Sequence, residues 1–321
     1  MNNSFQEISN IILNSDDILL YPHLNMDGDA MGSAAALCRA LRNAGKNCYI
    51  LIEDKVADNL AFLDKGYCTE NADIIAEPDL SICIDCGDES RFPERAEKFR
   101  TSKKTICIDH HRTTKEFCDF NYIDPESAAT AQLIYKLIKT MNIPVDKEIG
   151  EAIFAGITTD TGNFQYSNTT EETHRIAAEL YEAGIDANKV SVEIYENNRI
   201  QRLMITSRIL ATLETLLDGK CALCYVTQEM LDETGAMMEE TEGVVQQLRA
   251  ISGVEVAVFL KEKDETTTKV SMRSKSYADV AKIAATLGGG GHVRAAGATI
   301  NKPVCQAMEL MKTKLIESLG E

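Results

Sequence analysis

Apolar residues follow two alternating rhythms along the first half of the chain. Short uninterrupted runs at 18–21, 48–52, 80–84 and 105–108 have the length and aliphatic content of strands buried on both faces. Between and after them the spacing becomes that of helices, at 4–14, 29–44 (with Gly45 as a stop), 127–141, 148–157, 171–183 and 186–195. This alternation predicts α/β architecture, a parallel sheet with helices on both faces. A helical pattern at 202–217 has no strand partner nearby and reads at its start as a connector. The rhythm then restarts, with strands at 221–226, 254–260 and 269–273, the last two an antiparallel hairpin around a charged tip at 261–268. Helices at 242–251, 277–287 and 304–319 complete a smaller α/β domain with a mixed sheet. The expected boundaries are 1–195, a connecting segment 196–217, and 218–321.

Composition narrows the function classes. The chain has 321 residues, 44% hydrophobic and 26% charged, as in globular proteins with room for two cores. No apolar run approaches the roughly 20 residues of a membrane helix, and Met1 to Gln6 lacks a signal-like pattern, so a cytoplasmic protein without a membrane partner is expected. Cys48, Cys83, Cys107, Cys221 and Cys224 lie inside apolar runs and read as reduced structural thiols. Cys221 and Cys224 form a C-x-x-C without the second pair a zinc cluster needs. The net charge of -17 opposes a long nucleic-acid track, where neutralising phosphates supplies most affinity. A small phosphorylated ligand in a local pocket remains open.

The candidate chemistry sits at the ends of the apolar runs, where open α/β sheets gather ligands. Only five histidines are present, and two are adjacent in Asp109-His110-His111. The first run ends in His23, followed by Asp27, Gly28 and Asp29, with the glycine allowing a turn between two acids. The third ends in Asp85-Cys86-Gly87-Asp88. Asp160-Thr161-Gly162 follows the apolar helix 148–157. Asp29 could be a helix cap, and Asp85 a turn residue, but capping needs neither His23 nor Asp27. Asp-Thr-Gly also occurs in aspartic proteases, a reading rejected because that chemistry needs a second such loop and a β-rich fold. So many acids could not share a dry pocket without cations. Carboxylates with imidazoles and no thiolate suit manganese, or magnesium at oxygen-rich positions.

Together, His23-x-x-x-Asp27-x-Asp29, Asp85, Asp109-His110-His111 and Asp160-Thr161-Gly162 resemble the motifs of the DHH phosphoesterases. The stretch GGGGHVRAAG, from Gly288 to Gly297, is similar to the signature of their DHH-associated C-terminal domain. The resemblance covers nearly the whole chain and is closest to the bifunctional oligoribonucleases and 3′-phosphoadenosine 5′-phosphate phosphatases. Many relatives carry proline where this chain has Met26, a change in loop stiffness that removes no ligand. The resemblance implies two Mn2+ ions, with Mg2+ or Co2+ as substitutes. His23 and Asp27 would hold one, Asp29, His110 and Asp160 the other, and Asp85 would bridge them. A water between the ions would attack phosphorus in line. His111 would face the scissile phosphate, and Asp109 would orient an imidazole. Gly289, Gly290, Gly291, His292 and Arg294, with a helix expected to begin near them, and Arg273 on a neighbouring strand would grip the substrate's phosphate across a cleft. His174, in a polar helix, reads as an ordinary surface residue.

The expected partners are very short RNA or a nucleotide bisphosphate; a homodimer is compatible with the chain. Acids outnumber bases in residues 212–321, which opposes a RecJ-like processive exonuclease on long DNA. Hydrolysis of cyclic dinucleotides or their linear products would use the same metal motifs. A family II pyrophosphatase would replace the glycine cradle with basic residues. A non-catalytic nucleotide sensor would have lost ligands that are all present here.

Overall fold

The central strands of the first sheet are short and apolar at most positions, because both of its faces are covered. The computed structural model describes residues 2–320, which divide into two compact units, 1–197 and 198–321. In the first, β1 (Asp17–Pro22), β2 (Asn47–Leu51), β3 (Cys68–Thr69), β4 (Leu80–Ile84), β5 (Lys104–Asp109) and β6 (Phe120–Ile123) are ordered β3-β2-β1-β4-β5-β6. All five pairings are parallel. This is a doubly wound order. The chain reverses direction across the sheet between β1 and β4, and a crevice opens at their carboxyl ends.

The helices are α1 (Phe5–Leu13), α2 (Gly28–Asn43), α3 (Ala96–Phe99), α4 (Thr130–Thr140), α5 (Lys147–Asp160), α6 (Glu171–Glu182) and α7 (Ala187–Ser191), the last continuing as a π-helical turn to Glu196. Their coverage is uneven. α1, α2, α4 and α5 pack against Ile18, Leu20, Ile82, Ile84, Ile106 and Ile108 on one face. The alternate residues Leu19, Tyr21, Cys83 and Cys107 meet α3 and the rings of Phe92 and Phe99 on the other. α2 is buried almost all round. Small residues on both helices let α5 press close to α2: a Cβ on Gly32 would stand 2.4 Å from Ala152 O, and one on Gly156 2.9 Å from Asp29 Oδ1. Gly45, at φ +82°, ends α2 as expected.

The second unit holds α8 (Ile200–Leu210), β7 (Glu214–Leu216), β8 (Cys221–Val226), α9 (Gln228–Thr234), α10 (Val244–Ala250), β9 (Val256–Asp264), β10 (Thr267–Ser274), α11 (Val280–Ala285), β11 (Gly290–His292), β12 (Ala295–Ile300) and α12 (Val304–Leu319). Its sheet runs β11-β12-β10-β9-β8-β7 and is mixed, with β8–β9 parallel and the other pairs antiparallel. α11 and α12 cover one face. On the other face α8, α9 and α10 build an apolar cluster with β8 and β9, and α10 also reaches β10.

Three expectations change here. The helix read over 202–217 stops at Leu210, and 214–216 is an edge strand paired with β8. The hairpin tip shrinks to two residues, pinned by Asp264 accepting from Thr266 N at 2.9 Å. No helix begins near His292 and Arg294; both belong to the β11–β12 hairpin region. All ten cysteines are free thiols, most of them buried, with Cys305 exposed. Among the described residues no helix is long and apolar enough to cross a membrane.

Candidate metal centre

Four segments deliver polar side chains to the crevice beside the β1/β4 reversal. β1 leads into His23. Asp27 caps α2, its Oδ1 accepting from Asp29 N and Ala30 N at 3.0 Å. Gly28 is therefore the first residue of that helix and makes no turn. It is needed for another reason: a Cβ there would lie 2.4 Å from the Thr159 side chain. Asp29 is 1% exposed and caps a different helix, accepting from Thr130 N (2.7 Å) and Ala131 N (2.8 Å) at the start of α4. Asp85 follows β4 with φ +54°, a left-handed conformation that costs a non-glycine residue about 1–3 kcal/mol and collects at functional sites. Asp109, His110 and His111 follow β5. Asp160 is the last residue of α5, one turn further into the helix than its sequence pattern suggested.

The imidazoles are oriented by their second nitrogens. His23 Nδ1 lies 2.8 Å from Leu24 O and His110 Nδ1 3.2 Å from Ser127 O. A carbonyl only accepts, so Nδ1 carries the proton and Nε2 keeps its lone pair, as in metal-ligating histidines. His23 Nε2 stands 3.7 Å from Asp27 Oδ1 and 3.8 Å from Asp85 Oδ2. His110 Nε2 stands 3.8 Å from Asp29 Oδ2, 3.8 Å from Asp85 Oδ1 and 3.5 Å from Asp160 Oδ2. These separations are too long for hydrogen bonds and suit donor atoms arranged around a common ion. Three overlapping groups of donors result among the described residues: His23 with Asp27 and Asp85, Asp29 with His110 and Asp160, and Asp85 with His110 and His111; the first two share no residue. Asp85 turns one oxygen toward each, and its Oδ1 also accepts from Thr130 Oγ1 at 2.7 Å.

His111 stands differently. Its Nδ1 is 2.7 Å from Asp109 Oδ1 and 3.6 Å from Asp85 Oδ1, and its side chain is partly exposed. Asp109 is fully buried and also accepts from His110 N (2.7 Å), His111 N (3.1 Å) and Thr114 Oγ1. It thus folds the turn that carries both histidines. Thr130, Ala131, Ser127 and Thr114 escaped sequence reading; most act through backbone groups, which leave no residue signature.

The electrostatics call for cations. Burial, then the charges of Asp85, Asp160 and Asp27, push Asp29 well above the usual carboxyl range. Burial and Asp27 push Asp85 up against the pull of His111 and His110. Burial, opposed by His110 and reinforced by Asp85 and Asp27, takes Asp160 to about 6. Of the carboxylates in the two disjoint donor groups only Asp27 comes down, to about 2: burial opposes the charged form, but His23 and the α2 N–H groups outweigh it. Carboxylates set against one another in this way, with imidazole lone pairs between them, fit bound divalent metal.

A pH dependence follows for the metal-free protein. A carboxyl whose pKa rises on folding takes up protons as the chain folds, so stability falls with rising pH between the two values. For Asp160 that interval runs from 3.8 to about 6; Asp29 and Asp85 act with the same sign. His111 is raised to about 9, chiefly by its hydrogen bond to Asp109. Its contribution is complete below its ordinary 6.5 and is lost as pH rises through about 9. Chelated protein should therefore lose melting temperature from about pH 5 to 9, and manganese should restore most of it at the alkaline end, where ligands are deprotonated. A chelated melting temperature that climbs over this range contradicts the charge balance described.

The second unit brings other residues together. His292, Ala295 and Arg273 stand opposite one another across β11, β12 and β10, so their side chains share a sheet face. Gly290, Gly297 and Ser271 form the next row on that face, outside the apolar cluster that α8–α10 build on β8 and β9. Gly290 faces open space, whereas Gly289 and Gly291 are close-packed: a Cβ would come within 2.2 Å of Gly297 O and 2.5 Å of Ala295 O, respectively. Glycine is thus required by packing at Gly289 and Gly291, while the backbone of Gly290 and Gly291 stays exposed on the edge strand. Arg273 Nη1 donates to Met272 O at 3.0 Å, and Arg294 Nη1 to Ala278 O at 2.8 Å. His174 lies outside both groups, exposed but stacked on Phe164.

Known proteins are similar to this chain in sequence and fold. Residues 17–157 match the model of the DHH family, N-terminal domain, and residues 218–320 that of the DHHA1 domain. A bifunctional oligoribonuclease and PAP phosphatase, NrnA of Thermus thermophilus, is 34% identical over 284 residues, 88% of this chain and 84% of that protein. NrnA of Bacillus subtilis is 28% identical over 289 residues, 89% and 90% of the two chains. The crystal structure of an exopolyphosphatase-related protein from Bacteroides fragilis superposes with a TM-score of 0.90 at 27% identity, covering 98% of this chain and 95% of that one. With the histidine–aspartate motifs at the crevice and the glycine-bearing sheet in the second unit, the chain belongs to the DHH phosphoesterase family, a hydrolase with a DHHA1 domain at its C-terminal end.

Proposed function

We propose that this chain hydrolyses very short oligoribonucleotides to mononucleotides and 3′-phosphoadenosine 5′-phosphate to AMP, with two manganese ions. The observation that carries the reading is Asp85, whose two oxygens face two separate groups of donors. His23 and Asp27 would hold one ion, Asp29, His110 and Asp160 the other, and Asp85 both. When bound, such ions supply Lewis-acid charge at phosphoryl oxygens and a water activated at neutral pH. The chain's own groups do the rest. Asp109 holds His111 by Nδ1, leaving Nε2 to donate a proton to a phosphate oxygen or to the departing one. Arg273 can fork onto a phosphate, with His292 and Gly290 beside it. The names of the Thermus and Bacillus relatives support this substrate class. The net charge of -17 gives a long strand nothing to bind outside the site.

The test is a side-by-side assay with manganese on a dinucleotide, 3′-phosphoadenosine 5′-phosphate, a cyclic dinucleotide and pyrophosphate. Turnover of the first two should exceed that of the others. Preferential hydrolysis of pyrophosphate, or none of the four, would sink the reading.

A further inference from the structure

The stretch behind Asp160 has no part in that chemistry. Gly162, Asn163 and Phe164 take φ of +55°, +57° and +64° in succession. Left-handed backbone is normally visited by single residues and is unfavourable for a bulky one. Here it is held on every side. Thr161 Oγ1, fully buried, donates to Ile157 O at 2.6 Å and accepts from Phe164 N at 3.0 Å. The N–H groups of Gln165 and Tyr166 both donate to Thr161 O, at 3.0 and 2.9 Å. Asn168 Nδ2 donates back to Asp160 O at 3.1 Å. The Phe164 ring stacks on His174 with centroids 5.3 Å apart and 20° between planes, and lies 6.1 Å from Phe154.

What this bracing positions is Tyr166. A Cβ on Gly162 would lie 2.3–2.6 Å from Tyr166 Cζ, Cε1 and Cε2, so the phenol end rests on the backbone two residues past Asp160. Glycine is required there twice over, for its φ and for the ring. Tyr166 remains 39% exposed. A partly solvated aromatic held against the backbone just past Asp160 brings more to a ligand than a hydroxyl that could meet phosphate. It offers a π face to a planar base, and stacking of that kind is tolerant of base identity.

We propose that Tyr166, braced by the left-handed run from Gly162 to Phe164, is the platform on which the substrate's nucleobase stacks, and that it selects nucleotides over base-free phosphoesters. The inference rests on the phosphoesterase reading above and adds a specificity-determining residue to it. The chain contains no tryptophan, so Tyr166→Trp installs a single indole reporter. In the manganese-loaded full chain, on rapid mixing and before turnover, adenosine 3′,5′-bisphosphate should quench that indole saturably, and the matching abasic ribose bisphosphate should not. Tyr166→Ala should raise KM for a dinucleotide about tenfold, the scale of one lost base stack. It should leave kcat within about twofold and leave hydrolysis of an abasic dinucleotide analogue unchanged. Tyr166→Phe should behave as the parent. Equal losses on both substrates, an unchanged KM for the dinucleotide, or equal quenching by both bisphosphates would overturn the assignment while the parent still hydrolyses nucleotides. If the parent turns over no nucleotide at all, the phosphoesterase reading falls first and takes this one with it.

Discussion

Asp85→Asn is expected to lower turnover of a dinucleotide by on the order of a thousandfold, beyond the roughly 10–100-fold that loss of a group merely orienting a metal ligand costs. The substitution is chosen to leave the scaffold alone. The amide oxygen can still accept from Thr130 Oγ1, and asparagine tolerates the φ of +54° better than most side chains do. It removes the negative charge that serves both donor groups. Two melting curves separate this from a structural effect. In chelator, the variant should melt at or above the parent, because one of several mutually repelling buried acids is gone. With manganese, the parent should gain and the variant should gain much less. A variant that loses as much melting temperature in chelator as in manganese would make Asp85 a fold residue. One that keeps near-normal turnover would remove the shared carboxylate from the mechanism.

His111→Ala should cost about 10²–10⁴-fold in kcat, the range for a positioned proton donor, while nucleotide affinity and bound manganese stay near parental values. The reasoning is positional. His111 alone of the clustered imidazoles turns Nδ1 to a carboxylate that caps its own turn, and it is more exposed than His23 or His110. Asp109→Asn would test a different thing. It disturbs the bonds from His110 N and Thr114 as well, so it should lose stability together with activity. Parental kcat in His111→Ala, or loss of a bound ion, would move this residue out of the role of donor.

Sequence reading and structure agree where burial is strong. The runs that became β1, β4 and β5 are almost wholly aliphatic, so both their existence and the acids at their ends could be read directly. β3, β7 and β11 could not, being two or three residues long on sheet edges. The β11–β12 hairpin was hidden by composition. Glycine and alanine carry no alternation to detect, so the glycine run looked like a loop leading into a helix. The overrun of α8 has a similar cause: leucine and threonine at 210–217 fit either period, and the turn that resolves it lies in the positive φ of Leu217 and Asp218. Gly28 shows a further limit. Its glycine is required by Thr159, more than a hundred residues away, and no local pattern reports a distant contact.

Asp29 carries one more consequence. Its carboxylate closes the start of α4 as well as facing His110. A relative that had abandoned hydrolysis would still be held to an acid at this position by its architecture. Survival of that one aspartate in a diverged sequence is therefore weak testimony of a working enzyme. Asp160, whose carboxylate caps nothing, is the better witness.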